Sequence, residues 1–260
     1  MNPPHLKVVI VGGGFAGLAA KALHRAPVQV TVVDQHDYHT FTPFLDQVAT
    51  ALLECDGAAY PARGQLSRPD NVSFRLATVT GVDLDTKSVD TDQGPLPYDH
   101  LVLASGAVNN YVGHSGTAEH RIGLSNLPGA LQLRTAILAR FEAAAWADDP
   151  AGRARLLSFA VVGGGPTGTE FAGALAELVA GTLTRDFPSL DPSQVSITLA
   201  EGSPHLRGGF LAVVVRVSLQ AVGDAGDRAA SGWPRPVAEP SGFLPGYPST
   251  AYAQAGRERL

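Results

Sequence analysis

The chain has 260 residues, of which 45% are hydrophobic and 17% charged, and a formal net charge of -5 at pH 7. This composition predicts a folded chain with a real core, and the acidic balance argues against a nucleic-acid partner because it supplies no phosphate-neutralising surface. The single cysteine, Cys55, excludes an intrachain disulfide, a CxxC motif and a four-cysteine metal site, and no apolar run is long enough to predict a transmembrane helix.

The first predicted element is a buried parallel strand at residues 8–11, because this run is wholly apolar. It leads into a glycine-rich turn at residues 12–17 and then into a helix-forming stretch. The turn has the pattern G-x-G-x-x-G between a strand and a helix, which predicts a dinucleotide site. We expect Gly12 to allow the tight turn, Gly14 to let a pyrophosphate approach the backbone, and Gly17 to let the helix pack on the strand.

The second predicted strand, residues 28–33, ends at Asp34, 22 residues past the first glycine of the turn. A carboxylate at this place can accept hydrogen bonds from the ribose hydroxyls of a dinucleotide. Asp34 could also be combined with His36, Asp37 and His39 as a metal site. Their spacing suits no helix or hairpin ligand set, so a polar loop at the edge of the cofactor is the preferred interpretation and no metal is predicted.

A small antiparallel meander is predicted from three short alternating stretches, at residues 72–76, 79–84 and 88–90. Residues 98–104 then predict a buried strand that ends in the small residues Ser105 and Gly106. Small residues there would let the backbone pass close to a cofactor. An ordinary strand end with a glycine explains this segment equally well when it is considered alone.

A second glycine-rich unit follows a long predicted helix at residues 127–147. Residues 156–162 predict a strand, and the turn at residues 163–168 repeats the G-x-G-x-x-G pattern before another helix. A later strand, residues 195–199, ends near Glu201, 38 residues past the first glycine of this turn, so this unit needs an extended helix or a loop insertion. Two such fingerprints predict two dinucleotides held by two Rossmann-like units.

Together these segments resemble the two-dinucleotide-domain flavoproteins, and among them the type II NADH dehydrogenases (NADH:quinone oxidoreductases). The resemblance extends from about residue 6 to about residue 206, and its most specific parts are FTPFLDQVA at residues 41–49 and GGGPTGTE at residues 163–170. It implies an α/β fold of two Rossmann-like βαβ units, the first with the antiparallel meander and the second incomplete. The implied activity is that of an FAD-dependent enzyme that passes a hydride from NADH to the flavin and electrons on to a quinone-type acceptor.

The resemblance also implies a role for individual residues. The implied FAD contacts are Gly12, Gly14, Phe15 and Ala16 at the pyrophosphate with Gly17 beside them, Asp34 at the ribose, Val79 at the adenine, and Ser105 and Gly106 at the flavin. The polar loop that follows Asp34 is expected at the flavin edge. The implied NADH contacts are Gly163, Gly165, Thr167 and Gly168 at the pyrophosphate and Glu201 at the ribose, where an acid would repel a 2′-phosphate and favour NADH over NADPH. Glu170 is the candidate catalytic residue, because the family has a glutamate near the flavin and the nicotinamide at this place. The alternative is a first-turn glutamate that stabilises its helix.

The predicted organisation has four parts: an FAD-binding unit at residues 1–112, a helical connection at 113–155, an incomplete NAD-binding unit at 156–210, and an atypical Gly/Pro-rich tail at 211–260. After about residue 206 the chain departs from the family pattern. Residues 222–249 predict loop or disorder, and residues 252–260 predict a helix. This departure leaves the activity of the chain open.

Two alternatives to the leading function stay open: a related flavoprotein reductase with a protein acceptor, and a catalytically inactive nucleotide-binding remnant. The unpaired Cys55 argues against disulfide reductases and sulfide:quinone oxidoreductases, which need paired cysteines, and it is interpreted as a buried or incidental thiol. The expected location is cytoplasmic, with peripheral membrane contact only if the C-terminal region of the family were supplied. A homodimer is compatible with the sequence.

Overall fold

The computed structural model describes residues 6–66, 70–108, 121–201, 213–218, 237–239 and 252–254. Within these ranges the strands are β1 (Leu6–Val11), β2 (Val28–Asp34), β3 (Tyr38–Thr40), β4 (Ala59–Pro61), β5 (Val72–Leu76), β6 (Val79–Asp83), β7 (Ser88–Thr91), β8 (Leu96–Pro97), β9 (His100–Leu103), β10 (Arg121–Gly123), β11 (Ser158–Val162), β12 (Ser196–Glu201), β13 (Val213–Ser218), β14 (Val237–Glu239) and β15 (Tyr252–Gln254). The α-helices are α1 (Phe15–Leu18), α2 (Leu45–Ala49), α3 (Cys55–Ala58), α4 (Ala62–Leu66), α5 (Leu127–Trp146), α6 (Pro150–Leu156), α7 (Pro166–Leu178) and α8 (Thr184–Asp186).

The chain divides into two compact units. The first consists of Met1–Phe41 and Asp56–Ala107, and the second of Thr42–Cys55 and Val108–Leu260. The predicted boundaries at residues 112, 155 and 210 were drawn from sequence pattern alone and stay predictions. No helix in the described part of the chain is long and apolar enough to cross a bilayer.

The first unit is built on a four-stranded parallel sheet with the order β5-β2-β1-β9. Successive side chains of the central strand β1 enter two different cores. Val8 and Ile10 pack with one cluster of buried residues, whereas Val9 and Val11 pack with another that includes Val89 of β7. Because β1 is covered on both faces at residues 8–11, this stretch has to be apolar, which is the pattern that its sequence shows, whereas Leu6 and Lys7 at the start of the strand are exposed.

The meander of the first unit differs from the prediction at one strand. It consists of β6, β7 and β8, whereas the stretch at residues 72–76 forms β5 and pairs in parallel with β2. The inclusion of that stretch in the meander was therefore wrong. β5 is an edge strand in which only Val72 and Phe74 are buried, and a strand covered on one face shows the same alternation as a meander strand.

The second unit contains a six-stranded sheet with the order β10-β15-β11-β12-β13-β14. β11 pairs in parallel with β12 and with β15, whereas β13 and β14 are antiparallel. The prediction of a loop was therefore wrong at residues 237–239, and the prediction of a helix was wrong at residues 252–254. The other residues of those two predictions lie outside the described ranges. Pairing with a sheet supplies backbone hydrogen bonds that local propensity does not anticipate.

The long helix predicted before the second fingerprint is confirmed as α5. Its first turn is capped by Asn126, whose side chain accepts a hydrogen bond from the amide of Gly129 at 2.8 Å. The buried residues of α5 form one stripe: Ala130, Leu133, Ile137, Phe141 and Ala144. The ring of Phe141 stacks on Phe159 of β11 at a centroid distance of 6.1 Å, so α5 contributes to the core of the second unit.

The long interval before Glu201 is explained by extra helix and loop. α7 continues through a π-helical turn, Val179–Leu183, into α8, and a 3-10 turn at Pro192–Gln194 precedes β12. In the first unit, the corresponding interval holds only α1 and a 3-10 turn, Ala19–Leu23. The predicted extension of this βαβ unit is therefore confirmed.

Candidate dinucleotide-binding sites

The first glycine of the first turn, Gly12, joins three strands of the sheet. Its backbone has a φ of +110°, a conformation that L side chains rarely adopt. Its amide donates a hydrogen bond to the carbonyl of Val33 at 2.8 Å. A Cβ at this position would overlap the carbonyl of Ala104, the residue that follows β9. Glycine is therefore required here both by the backbone angle and by the available space.

The other two glycines of the G-x-G-x-x-G pattern, Gly14 and Gly17, have different surroundings. Gly14 precedes α1 with an ordinary φ of −71°, and a Cβ built on it would meet no atom within 4 Å. A Cβ on Gly17 would overlap the carbonyl of Gly12. Gly17 thus permits close packing of α1 on the turn, while the open space beside Gly14 is where a phosphate can reach the backbone.

The amides at the start of the two fingerprint helices receive no side-chain cap. The N-cap residues are Gly14 for α1, which begins with Phe15 and Ala16, and Gly165 for α7. Neither helix start has a side-chain cap hydrogen bond. By contrast, α6 is capped by Asp149. Helix-start amides that no side chain caps can donate to an anionic ligand such as a pyrophosphate.

Asp34 lies at the end of β2 and holds the first turn. Its Oδ2 accepts a hydrogen bond from the amide of Gly13 at 2.6 Å, and its Oδ1 accepts one from the amide of His36 at 2.7 Å. An ionised carboxylate has about four lone-pair positions. Asp34 can therefore keep both backbone contacts and still accept a hydrogen bond from a ribose hydroxyl.

The remaining predicted residues of the first site lie at the same edge of the four-stranded sheet. Leu76 of β5 pairs with Asp34, and Val79 follows three residues later at the start of β6. Ser105 and Gly106 follow β9, the neighbour of β1 on its other side. Because carboxyl ends of parallel strands meet at one edge, these residues come together with the glycine turn although they are far apart in sequence.

The second turn repeats the geometry of the first. Gly163 has a φ of +112° and donates its amide to the carbonyl of Ala200 at 2.8 Å. Gly165 has a φ of −71°, and a Cβ on it would meet nothing within 4 Å. A Cβ on Gly168 would overlap the carbonyl of Gly163, as for the corresponding pair in the first turn. Thr167 lies between these glycines on the first turn of α7.

The backbone places Glu201 where the first unit has Asp34. In each turn the first glycine donates its amide to the residue before the acid, which is Val33 in the first unit and Ala200 in the second. Each acid is also the last residue of its strand. The longer interval in the second unit therefore does not displace Glu201 from the strand end.

Glu170 is the fifth residue of α7 and is exposed. The first turn of α7 contains no acidic residue, and the helix dipole acts mainly within the first turn. This position gives little support to the alternative of a first-turn glutamate that stabilises its helix.

The prediction of a polar loop was wrong at His39, which is the central residue of β3 and contributes a buried contact to the first site. His39 is only 4% exposed, and its Nδ1 lies 3.1 Å from the carbonyl oxygen of Gly13. Its ring meets that of Phe15 edge to face, with centroids 5.1 Å apart. The available signal was its place at the centre of β3, between two residues of high β propensity, where one side chain must face inward.

Neither a metal-ligating group nor a buried cysteine occurs in the described part of the chain. No group of three His, Cys, Asp or Glu side chains within the described ranges is arranged to hold a metal ion. Cys55 is exposed, so of the two alternatives the buried thiol is wrong and the incidental thiol remains. It is the first residue of α3, a helix of four residues in which only Ala58 is buried.

Two strand–turn–helix units with the same turn geometry, each followed by an acid at the next strand end, define a protein with two Rossmann-like dinucleotide-binding units. The predicted α/β fold is thereby confirmed. The chain belongs to the pyridine nucleotide-disulphide oxidoreductase family, whose pattern matches residues 6–214.

The relatives of this chain include type II NADH:quinone oxidoreductases. It is 40% identical over 207 residues to "Type II NADH:quinone oxidoreductase Ndh" of Mycobacterium tuberculosis, covering 78% of this chain and 45% of that protein. It is 29% identical over 246 residues to the type II NADH:quinone oxidoreductase of Staphylococcus aureus, covering 92% and 59%. The solved structure of NDH2 from Plasmodium falciparum in complex with NADH has a TM-score of 0.71 at 24% identity, covering 78% of this chain and 43% of that one.

These comparisons confirm the resemblance to the type II NADH dehydrogenases. The chain spans about half the length of the curated relatives that it matches. The solved structure, at its low identity, supports the fold alone.

Proposed function

We propose that this chain carries the two nucleotide-binding units of an FAD-dependent NADH:quinone oxidoreductase. FAD binds to the first unit and NADH to the second, and electrons pass on to a quinone-type acceptor. The observation that carries the proposal is the repeated turn, in which the second glycine, Gly14 or Gly165, borders open space. The names of the curated relatives support the choice of NADH and a quinone.

The residues of the first turn fit a dinucleotide pyrophosphate. A Cβ at Gly14 would project into the space that the phosphates need, and no side chain caps the amides that follow it. Asp34 stands at the adjacent strand end and can accept hydrogen bonds from the ribose. Val79 is assigned to the adenine, and Gly106, with a φ of +74° and no atom within 4 Å of a built Cβ, to the flavin.

FAD, when bound, supplies the hydride acceptor for the reduced nicotinamide. The chain itself binds and orients the two nucleotides. Gly163 and Gly165 give the NADH pyrophosphate access to the backbone, and Glu201 at the strand end receives the ribose hydroxyls and repels a 2′-phosphate. Glu170 is assigned as the catalytic residue, acting through its carboxylate near the reacting rings.

The acceptor and the location follow from the same relationship. A quinone is preferred over a protein acceptor because the curated relatives are named for that substrate. A quinone is a membrane-dissolved substrate, so the proposed location is cytoplasmic, with peripheral membrane contact when the C-terminal region of the family is supplied.

Binding is the first test of this function. FAD is titrated into the purified chain and followed by flavin fluorescence, and NADH is titrated into the wild type and into Gly14→Val and Gly165→Val. Gly14→Val should lose FAD while keeping NADH, and Gly165→Val should do the reverse. Failure of the wild type to bind FAD would contradict the proposal, and equal loss of both nucleotides in each variant would contradict the assignment of the sites.

Turnover is the second test. NADH oxidation is measured with a soluble quinone and, separately, with a small iron–sulfur protein as acceptor. Glu170→Gln should lower the rate with quinone while both nucleotides still bind. Glu177→Gln is the matched control, because Glu177 is an exposed glutamate on the same helix, and it should leave the rate unchanged. Reduction of the iron–sulfur protein alone would favour a protein acceptor, and binding without turnover would favour an inactive nucleotide-binding module.

A further inference from the structure

Gly13, the middle one of three consecutive glycines in the first turn, is held at both its amide and its carbonyl. Its amide donates to Oδ2 of Asp34 at 2.6 Å. Its carbonyl oxygen lies 3.1 Å from Nδ1 of His39. A carbonyl oxygen can only accept a hydrogen bond, so Nδ1 of His39 must carry the proton. The contact is buried, so water cannot readily replace His39 as the donor.

This hydrogen bond fixes the direction of the next amide. The carbonyl of Gly13 and the amide of Gly14 belong to the same planar trans peptide and point in opposite directions. With the carbonyl directed at the buried His39, the Gly14 amide is directed away from it. The space beside Gly14 is open: a built Cβ meets no atom within 4 Å.

From this arrangement we infer that His39 is a positioning residue for FAD. It holds the Gly13–Gly14 peptide in the orientation that presents the Gly14 amide to the pyrophosphate, and it does so before the nucleotide arrives. The inference rests on the proposed function, because it assumes that the first unit binds FAD. The benefit is preorganisation: a peptide already held in its binding orientation loses less conformational freedom when the ligand binds.

The ring of His39 is itself held in place. Phe15 meets it edge to face at 5.1 Å, and Phe15 in turn meets Phe41 at 5.6 Å. In the second turn the corresponding carbonyl has a different donor. The carbonyl of Gly164, the middle one of its three consecutive glycines, accepts a hydrogen bond from the hydroxyl of Thr169 at 3.5 Å. Among the described residues His39 contacts the first turn, so its replacement should affect FAD but not NADH.

Two substitutions separate the hydrogen bond from the packing of the ring. His39→Phe keeps an aromatic ring against Phe15 but removes the donor. His39→Asn removes the ring but places a side-chain amide nitrogen where Nδ1 was. We expect His39→Phe to weaken FAD binding about ten-fold, which is the loss expected when the Gly14 amide no longer donates well to the charged pyrophosphate, and His39→Asn to retain most of the affinity.

FAD affinity is measured by titration of the purified chain with flavin fluorescence, and NADH affinity is measured on the same variants as a check on folding. The expected result is weaker FAD binding in His39→Phe, recovery in His39→Asn, and unchanged NADH binding in both. Wild-type FAD affinity in His39→Phe would overturn the inference. Equal loss in both variants would also overturn it, because the ring rather than the donor would then be responsible.

A second measurement does not depend on FAD. The tautomer of His39 is determined by nitrogen NMR on the chain without nucleotide, with His39→Asn used to assign the signal. A proton on Nδ1 supports the inference, and a neutral ring with its proton on Nε2 overturns it. If the wild type fails to bind FAD, the proposed function fails, whereas the tautomer still decides whether His39 holds the Gly13 carbonyl.

Discussion

Two glycines of the first turn, Gly14 and Gly12, should respond to alanine in opposite ways. At Gly14 the backbone angle is ordinary and a Cβ has no neighbour within 4 Å. Gly14→Ala should therefore leave the apoprotein as stable as the wild type, or raise the free energy of unfolding by about 0.4–1 kcal/mol, because alanine restricts the unfolded chain. The new methyl group would occupy the space of the pyrophosphate, and losing even one hydrogen bond to a charged phosphate should weaken FAD binding about ten- to hundred-fold.

At Gly12 an alanine should destabilise the fold itself. A φ of +110° is strained for alanine, and the new Cβ would overlap the carbonyl of Ala104. Backbone strain of this kind costs about 1–3 kcal/mol, and overpacking at a tight contact costs about 1–3 kcal/mol more. Gly12→Ala should thus lower the free energy of unfolding by about 2–6 kcal/mol, even when no nucleotide is present.

Urea unfolding of the apoprotein and FAD titration distinguish the two effects. The expected pattern is a stable Gly14→Ala protein that binds FAD poorly and a Gly12→Ala protein with a clearly lower unfolding midpoint. Wild-type FAD affinity in Gly14→Ala would show that the open space is not the pyrophosphate site. A Gly12→Ala protein as stable as the wild type would refute the argument from backbone angle and overlap.

Three further outcomes are expected. Glu201→Arg should raise kcat/KM for NADPH relative to NADH, because it replaces repulsion of the 2′-phosphate by attraction; an unchanged ratio would place Glu201 away from the ribose. Asp149→Ala should lower the free energy of unfolding by about 1 kcal/mol in urea, since the side chain caps two amides of α6; no change would mean that the cap is unimportant. Burial raises the pKa of the Asp46 carboxyl, so its contribution to stability is present at low pH and is lost as pH rises through the folded-state pKa. Thermal melts of Asp46→Asn and the wild type should therefore show that the stability of the variant relative to the wild type increases as the pH is raised from acidic to neutral. A difference that does not change with pH would contradict this.

Local sequence determined the two fingerprints and much of the secondary structure around them. A wholly apolar strand, three glycines at set intervals and a helix-forming stretch predict the turn at Gly12–Gly17 without knowledge of the rest of the chain. The reason is that each glycine meets a local demand, for a backbone angle, a ligand approach or a helix contact. The long helix α5 was equally predictable, because the residues of its buried stripe and its cap, Asn126, all lie in one continuous segment of the sequence.

Only the tertiary structure decided which distant segments complete each site. The alternation at residues 72–76 could not tell an edge strand of the parallel sheet from a strand of the meander, because both expose one face. The overlap that excludes a side chain at Gly12 comes from Ala104, and the donor to the Gly13 carbonyl comes from His39. These contacts join residues that are neighbours in space but not in sequence, and they depend on strand order and register, which local patterns do not encode.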